Sequence, residues 1–290
     1  METLVSIVFA NWNGGEKTRR CLDSIKKQTY KNYEVIIVDN GSTDGSKEYV
    51  KKFSKNFRKF KLIENKENLG CVKALNQGFK KATGEFVLRI DNDIVLDKNL
   101  LKVLVKKILS NDKIGIVIPK VYYFSNPKVI DNIGFSLNLI TSQTSSDRID
   151  KEDKGQFEEE KEIDFVPGAV LLTRKKLLEQ VNYLNPAYFV YYEDLDFSFK
   201  VRRLSYKIVY TPKTKAYHDC NKTDFTEFKI YHYIRSKLIF MKNNAGINNI
   251  FFFPFFFLIY SPSKLVSFIA KRKFFLIFPY IKGVFSGLFS

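Results

Sequence analysis

A chain of 290 residues that is 45% hydrophobic holds one large α/β domain or a medium domain with an appendage, which excludes wholesale disorder. Its formal charge of +17 points to an anionic partner: nucleic acid, phosphorylated small molecules or acidic lipid. Cys21, Cys71 and Cys220 are odd in number and form no C-x-x-C pair, which argues against a disulfide framework or zinc knuckle and makes a reducing cytoplasm the expected compartment.

The N-terminus has no basic stretch before its apolar run, so it reads as a first strand rather than a signal peptide. Four short runs rich in Val, Ile or Phe follow in order: Leu4 to Ala10, Tyr33 to Val38, Lys61 to Glu64 and Phe86 to Ile90. Helical patterns separate them at Glu16 to Gln28, Ser46 to Phe57 and Leu69 to Lys81. Alternation at this spacing predicts βαβ units and a parallel sheet covered on both faces. Ligands of such sheets bind beyond the carboxyl ends of the strands.

A fifth unit is expected, with a helix around Asp97 to Ser110 and a strand at Ile114 to Ile118. The pattern then weakens, and Asp147 to Asp164 carries nine acidic residues against four basic ones. That composition predicts a mobile acidic loop at about 145–164. Structure is expected to resume at Phe165 to Thr173, with helices from Arg174 and at Glu193 to Leu204 and short strands near Ile208 and Ala216.

This divides the chain into a catalytic domain, residues 1–224, and a tail, residues 225–290. The tail holds nine Lys and Arg residues, one acid (Glu227) and 15 of the 28 Phe residues. Its apolar blocks, Ile250 to Tyr260, Leu265 to Ala270 and Phe274 to Ile281, are interrupted by Lys264, Lys271 to Lys273 and two prolines. Each falls short of the roughly 18–20 residues a spanning helix needs. A peripheral or re-entrant helical segment at an anionic membrane surface is therefore expected.

The chemistry-bearing residues sit where predicted strands end. Strand two ends in Val38-Asp39-Asn40-Gly41-Ser42-Thr43-Asp44-Gly45, where a carboxylate can accept a hydrogen bond from the imide N–H of uracil or thymine. Taken alone, the same segment is also an ordinary helix-initiating turn. Gly70, opening the third helix, permits close backbone approach by a ribose or phosphate, although plain helix punctuation explains it equally well. Strand four runs into Asp91-Asn92-Asp93, two carboxylates one residue apart, suited to a hard cation that bridges to a diphosphate. Glu193, Asp194 and Asp196 follow Tyr191-Tyr192, an aromatic setting in which a carboxylate can act as general base. Acids favoured at a helix N-terminus account for Asp196. His218 ends the last short strand, and His232 lies in the tail.

In order, these segments resemble the family-2 glycosyltransferases of the GT-A fold, particularly the rhamnosyltransferase-like branch. The matching residues are Ser6-Ile7-Val8, Asn11-Trp12-Asn13-Gly14, Val38 to Ser42, Asn68-Leu69-Gly70, Asn76-Gln77-Gly78, Asp91-Asn92-Asp93, Pro167-Gly168-Ala169, Glu193 to Asp196 and His218. Together they span about residues 3–240. Arg235-Ser236-Lys237-Leu238 looks like the family's Arg-Asn segment with Ser236 in place of Asn.

The resemblance implies a mostly parallel GT-A sheet and an inverting, metal-dependent transfer from a nucleoside-diphosphate sugar of UDP or dTDP type. By similarity, Ala10, Asn11, Asp39, Gly70, Asp91 and Gly168 would bind the donor, with Asp39 on the base and Gly168 under the sugar and diphosphate. Asp93 and His218, with Asp91, would hold Mn²⁺ or Mg²⁺. Asp194 would be the base, with Glu193 supporting it or binding acceptor. A lipid-linked saccharide acceptor at the cytoplasmic face of the cell membrane completes the expectation, with no nucleic-acid partner. Two competing readings are a nucleotidyltransferase, which would show a basic Gly-rich loop near the N-terminus, and a non-catalytic basic module. The second leaves carboxylates at successive strand ends unexplained.

Overall fold

Residues 2–141, 143–145, 150–220 and 226–290 are described by the structure, a computed structural model. The first half alternates strand and helix: β1 (Val5–Asn11), α1 (Gly15–Lys26), β2 (Tyr33–Asn40), α2 (Ser46–Phe53), β3 (Phe60–Asn65), α3 (Cys71–Lys81), β4 (Phe86–Ile90), β5 (Ile94–Leu96), α4 (Leu100–Leu109) and β6 (Ile114–Tyr123). There follow β7 (Ile130–Asn132), β8 (Ser136–Asn138), β9 (Gln143–Ser145), β10 (Lys161–Glu162), β11 (Val170–Arg174), α5 (Lys175–Gln180), α6 (Glu193–Arg203) and β12 (Lys207–His218). The tail is helical: α7 (Glu227–Asn244), α8 (Asn249–Phe255), α9 (Ser261–Ala270) and α10 (Ile277–Leu288).

Among the described residues the main sheet runs β10-β12-β6-β11-β4-β1-β2-β3, with β5 paired to β12 and β7 to β6. β3, β2, β1 and β4 are parallel, as their unbroken apolar runs predict. The other half corrects the expectation of a mostly parallel sheet. β11 inserts antiparallel between β4 and β6, because the chain turns back at Gly168 instead of crossing over through a helix. The sheet is therefore mixed. The two short strands expected near Ile208 and Ala216 are one strand, β12, whose register slips between Thr211 and Lys215.

Alternate residues of each strand enter separate cores. Val5, Ile7 and Phe9 of β1 face Leu22, Ile25 and Leu104 from α1 and α4. Val8 faces the opposite way, toward the core built with Leu75 and Phe79 of α3, and the same apolar cluster runs on through α6 and α7 to Phe252, Phe256 and Tyr280 of the tail. The base of the tail is thus continuous with the catalytic core.

From residue 150 to 164 the acidic stretch is tied to β6 and α4 by ion pairs: Lys120 of β6 with Asp153 (2.7 Å) and Glu158, and Lys107 of α4 with Glu160 (2.8 Å). The first part of the predicted loop, residues 146–149, lies outside the described residues, as do residues 221–225 at the predicted domain boundary.

The tail departs most from expectation. Gly246–Ala270 is one helical run of 25 residues with a mean hydropathy of 1.5, of which 11% of the most apolar window is buried. By length and composition alone it is long enough to cross a membrane, at about 37 Å from 1.5 Å per residue. The prolines do not interrupt it. Pro254 is followed by a π-helical turn, Phe256–Tyr260, which accommodates the lost backbone hydrogen bond, and Pro262 falls in the first turn of α9. Finally, α10 lies against α7 at very close range. A methyl group on Gly283 would sit 2.7 Å from the Tyr231 carbonyl, and one on Gly287 2.8 Å from that of Arg235.

Candidate functional site

A cavity of about 520 Å³ opens at the carboxyl end of the parallel strands. Strand ends supply Ala10, Trp12, Asn40, Asp91, Asn92, Asp93 and His218, the β11 turn supplies Gly168, and the start of α6 supplies Glu193 and Asp194. Phe189, Tyr191, Tyr192, Phe228 and Tyr233 give it an aromatic wall.

Sheet register brings the metal-type ligands together. His218 pairs with Ile94 across β12 and β5, and Asp219 N donates to the Asp93 carbonyl at 2.8 Å. His218 Nε2 consequently lies 3.3 Å from Asp93 Oδ1, while its Nδ1 lies 2.9 Å from Asp131 Oδ2. Burial works against a charged imidazole, but hydrogen bonds to Asp131 and Asp93 outweigh it and push its pKa up to about 12. One carboxylate oxygen and one ring nitrogen this close, with the other ring nitrogen fixed by a carboxylate, form a donor set that fits a divalent ion. Among the described residues, Asp131, His218 and Cys220 also offer ligand atoms within 4.8 Å of one another. Asp91 is beside them. Burial raises its pKa, Arg89 opposes this and Asp93 adds to it, to about 6.

Arg89 projects from β4 beneath the cavity, 3% exposed, with Nη2 bonded to Glu193 Oε1 at 2.7 Å. Among the described residues its Nε and Nη1, and Glu193 Oε2, are buried without a hydrogen-bond partner. Gly168 makes this packing possible, since a Cβ there would meet the guanidinium at 2.4 Å. Its N–H instead donates to Asp194 Oδ2 at 2.8 Å, and Leu195 N donates to Oδ1 at 2.8 Å. Burial and the charge of Glu193 raise the pKa of Asp194, against Arg89 and these two N–H bonds.

The loop before α6 aims the two carboxylates. Tyr191 and Tyr192 are consecutive left-handed residues, φ 67° and 66°, a conformation costing on the order of 1–3 kcal/mol each. Contacts from α7 hold it. Ser236 Oγ donates to the Val190 carbonyl at 2.9 Å, Arg235 Nη1 to that of Ala187 at 2.7 Å, and the Tyr192 and Tyr233 rings meet at 5.5 Å. His232 stacks on Phe189 at 4.6 Å. The Arg235–Ser236 pair therefore anchors the loop that carries the acids, with Ser236 supplying a hydroxyl where the resembling pattern has an amide.

Asp39, Asn11 and Gly70 do not line the cavity. Asp39 and Asn11 are fully buried. Asn11 Nδ2 reaches Asp39 Oδ1 at 2.8 Å, and Ser42 N donates to Asp39 Oδ2 at 3.1 Å. Gly70 has φ +89°, and a Cβ there would meet the Phe189 ring at 2.7 Å, so the close approach it allows is that of Phe189. Asp196, at 2% exposure, bonds Asn244 of α7 at 2.9 Å and Lys200 at 2.8 Å, a structural position.

Sequence reasoning passed over Arg89 and Asp131. A charge inside the apolar run of β4 was a usable signal for Arg89. Asp131 stands in no motif, and its role comes only from the pairing of β7 with β6.

The chain matches the family Glycosyl transferase family 2 over residues 6–181. It is 28% identical over 209 residues to the poly-beta-1,6-N-acetyl-D-glucosamine synthase of Staphylococcus epidermidis, covering 72% of this chain and 48% of that protein. It is 32% identical over 112 residues to glycosyltransferase GlyG of Streptococcus pneumoniae, covering 39% of this chain and 37% of that one. The chain thus spans less than half the length of either relative. Among solved structures it resembles S. aureus TarS 1-349 in complex with UDP-GlcNAc, with TM-score 0.65 and 19% identity over 97% of this chain and 79% of that one. It also resembles GalNAc-T7 with UDP, GalNAc and Mn²⁺, with TM-score 0.66 and 17% identity over 81% of this chain and 47% of that one. At these identities the likeness is one of fold, and the fold is GT-A-like.

Proposed function

The chain belongs to glycosyl transferase family 2, and from that premise we propose that it moves a sugar from a UDP- or dTDP-type donor onto a lipid-linked saccharide, inverting the anomeric carbon. The observation that carries this reading is that Asp194, with its raised pKa, lines the same cavity as Asp93 and His218. TarS with UDP-GlcNAc and GalNAc-T7 with UDP and Mn²⁺ support the donor and the ion by fold likeness. Motifs like those of the rhamnosyltransferase-like branch keep dTDP-type donors beside UDP-type ones.

Asp93 and His218, with Asp91 beside them, would hold Mn²⁺ or Mg²⁺. When bound, the ion supplies charge neutralisation for the departing diphosphate. Asp194 accepts the proton of the acceptor hydroxyl as its oxygen attacks the anomeric carbon opposite the diphosphate. The new C–O bond forms as the bond to the diphosphate breaks, and configuration inverts. Two N–H donors hold the Asp194 carboxylate in place, and the Arg89 guanidinium orients neighbouring Glu193. Gly168 lies under the sugar and diphosphate, whereas Gly70 is covered by Phe189, which a ribose would have to displace. Asp39 accepts the imide N–H of the base once its Asn11 contact is given up, and Ala10 lines that end of the pocket.

The tail, residues 225–290, would hold the cavity at the cytoplasmic face of the cell membrane, lying on it or re-entering it. Exposed Leu258, Phe278 and Phe289 (76%, 74% and 84%), in a segment that also carries Lys271, Arg272 and Lys273, support this reading. The test is release of free nucleotide from a panel of UDP- and dTDP-sugars with Mn²⁺ or Mg²⁺, with and without a membrane lipid extract. Ion-dependent release that EDTA abolishes is the expected result. No release from any donor under any of these conditions overturns the reading.

A further inference from the structure

Lys237 of α7 is 2% exposed, and among the described residues its ammonium meets aromatic rings, Tyr233 at 5.7 Å and Tyr260 at 4.2 Å, and forms no ion pair with a carboxylate. Lys264 approaches the same Tyr260 ring at 5.7 Å. Glu227 is the last acidic residue of the chain, so the tail offers these two cations no carboxylate. Burial and the charge of Lys264 lower the pKa of Lys237 to about 8, with no acid opposing them. Two like charges gathered on one ring, one of them buried, are costly unless an anion joins them.

The position is specific. Lys237 lies one helical turn beyond Tyr233, which lines the catalytic cavity and touches Tyr192 beside Glu193. On its other side runs the apolar helix, exposing Leu258 at 76% and Ile259 at 59%. The pair therefore stands between the reacting centre and the surface best suited to a hydrocarbon chain. A lipid-linked saccharide has the same order of parts: sugar, phosphate, lipid.

We infer that Lys237 and Lys264, together with the Tyr260 ring, bind the phosphate or diphosphate that links an acceptor saccharide to its lipid. This rests on the lipid-linked acceptor proposed above and adds a site outside the donor and metal residues. A phosphate ester with several equivalent oxygens can bridge two ammonium groups, and the isoprenoid or other lipid chain leaves along the exposed face of the tail.

The probe is farnesyl diphosphate, a soluble isoprenyl diphosphate, titrated calorimetrically into the full chain in EDTA so that the metal residues do not hold its diphosphate. Farnesol and inorganic pyrophosphate serve as the two halves. Wild type is expected to bind farnesyl diphosphate at least tenfold more tightly than either half. Lys237→Met should lose at least tenfold of that affinity with no fall in Tm, because Met keeps the shape and removes an uncompensated charge. Lys264→Met should lose less, and Lys237→Arg should keep most of it. Unchanged affinity in Lys237→Met overturns the site, as does a diphosphate that adds nothing to farnesol. Flotation on phosphatidylglycerol vesicles separates the sources. If Lys237→Met weakens vesicle binding while farnesyl diphosphate binding stays at the wild-type value, the pair reads bulk headgroups and the inference is wrong. If Lys237→Met does not fold, wild-type affinity in Lys264→Met is the overturning result. Hydrolysis of UDP- or dTDP-sugars by wild type tests the donor reading separately.

Discussion

The cleft and the tail handle charge in opposite ways. In the cleft each buried ion faces one of opposite sign: Arg89 against Glu193 at 2.7 Å, and His218 between Asp131 at 2.9 Å and Asp93 at 3.3 Å. Orphaned atoms on Arg89 and Glu193 mark where that pairing is incomplete, and both residues line the cavity. In the tail nine cations follow the last acid or lie close to it, and large apolar side chains point outward. A region whose charges are already balanced is built to manage charge that appears during a reaction. A region with unbalanced cations and exposed aromatics is built to meet a surface that supplies the missing anions.

The comparison breaks most sharply if the paired residues turn out to be dispensable. Asp93→Ala and His218→Ala should each lower turnover about a thousandfold or more, since the bound ion stabilises the leaving group by several kcal/mol. Steady-state donor turnover with Mn²⁺ measures this, and near-wild-type rates would remove the proposed ion site.

Asp194→Asn should reduce turnover roughly a hundred- to a thousandfold while donor affinity stays within about threefold, because a base acts in the transition state. The raised pKa of Asp194 fixes the pH dependence. The base works only when ionised, so activity should rise with pH and its acid limb should lie above the ordinary carboxylate range. Folding carries the opposite sign: a carboxyl whose pKa is raised on folding lowers stability as pH rises from its unfolded to its folded pKa. Thermal melts should show wild type losing stability across that window relative to Asp194→Asn. A limb within the ordinary carboxylate range would show that Asp194 is not the base, and a wild-type rate in Asp194→Asn would move the role to Glu193.

Asp131→Ala removes the carboxylate that fixes His218 Nδ1 at 2.9 Å and should weaken ion affinity about ten- to a hundredfold, the usual cost of losing an orienting hydrogen bond behind a metal-binding imidazole. Metal titration of nucleotide release reads it directly.

The smallest effect on chemistry belongs to the tail. Deleting everything after Asn249 would also strip α10 from α7, so point changes on the exposed face are the cleaner test. Leu258→Glu with Phe278→Glu should abolish flotation with anionic liposomes and change soluble-donor hydrolysis less than about twofold. Undiminished flotation would show that the apolar face is not what meets lipid.

The parallel half of the sheet was legible because buried strands read as continuous apolar runs that end at turn residues. Helix positions followed from the spacing of apolar residues, although the cap of α2 is Gly45 and neither Asp44 nor Ser46. The antiparallel insertion of β11 was not legible, since nothing local to Val170–Arg174 records its direction. The bulge in β12 made one strand look like two. Prolines in the tail looked like breaks, although a π turn absorbs Pro254, and Pro262 and Pro279 fall in the first turns of α9 and α10. Asp93, Asp194 and His218 were readable as motif members. Arg89 and Asp131 depend on partners 104 and 87 residues away, a relation that only the folded sheet creates.

The seam between α10 and α7 limits how this molecule could be recombined. Gly283 and Gly287 fit a helix that also presents Phe228 and Tyr233 to the cavity. A tail borrowed from a relative would bring side chains that α7 has no room for, and the displaced helix would drag the aromatic wall with it. Chimaeras joined between residues 226 and 244 should therefore fail as folded proteins, whereas exchanges that carry α7 and α10 together should succeed. The aromatic wall of the cavity and the apolar face of the tail are then inherited as one cassette rather than as separable parts.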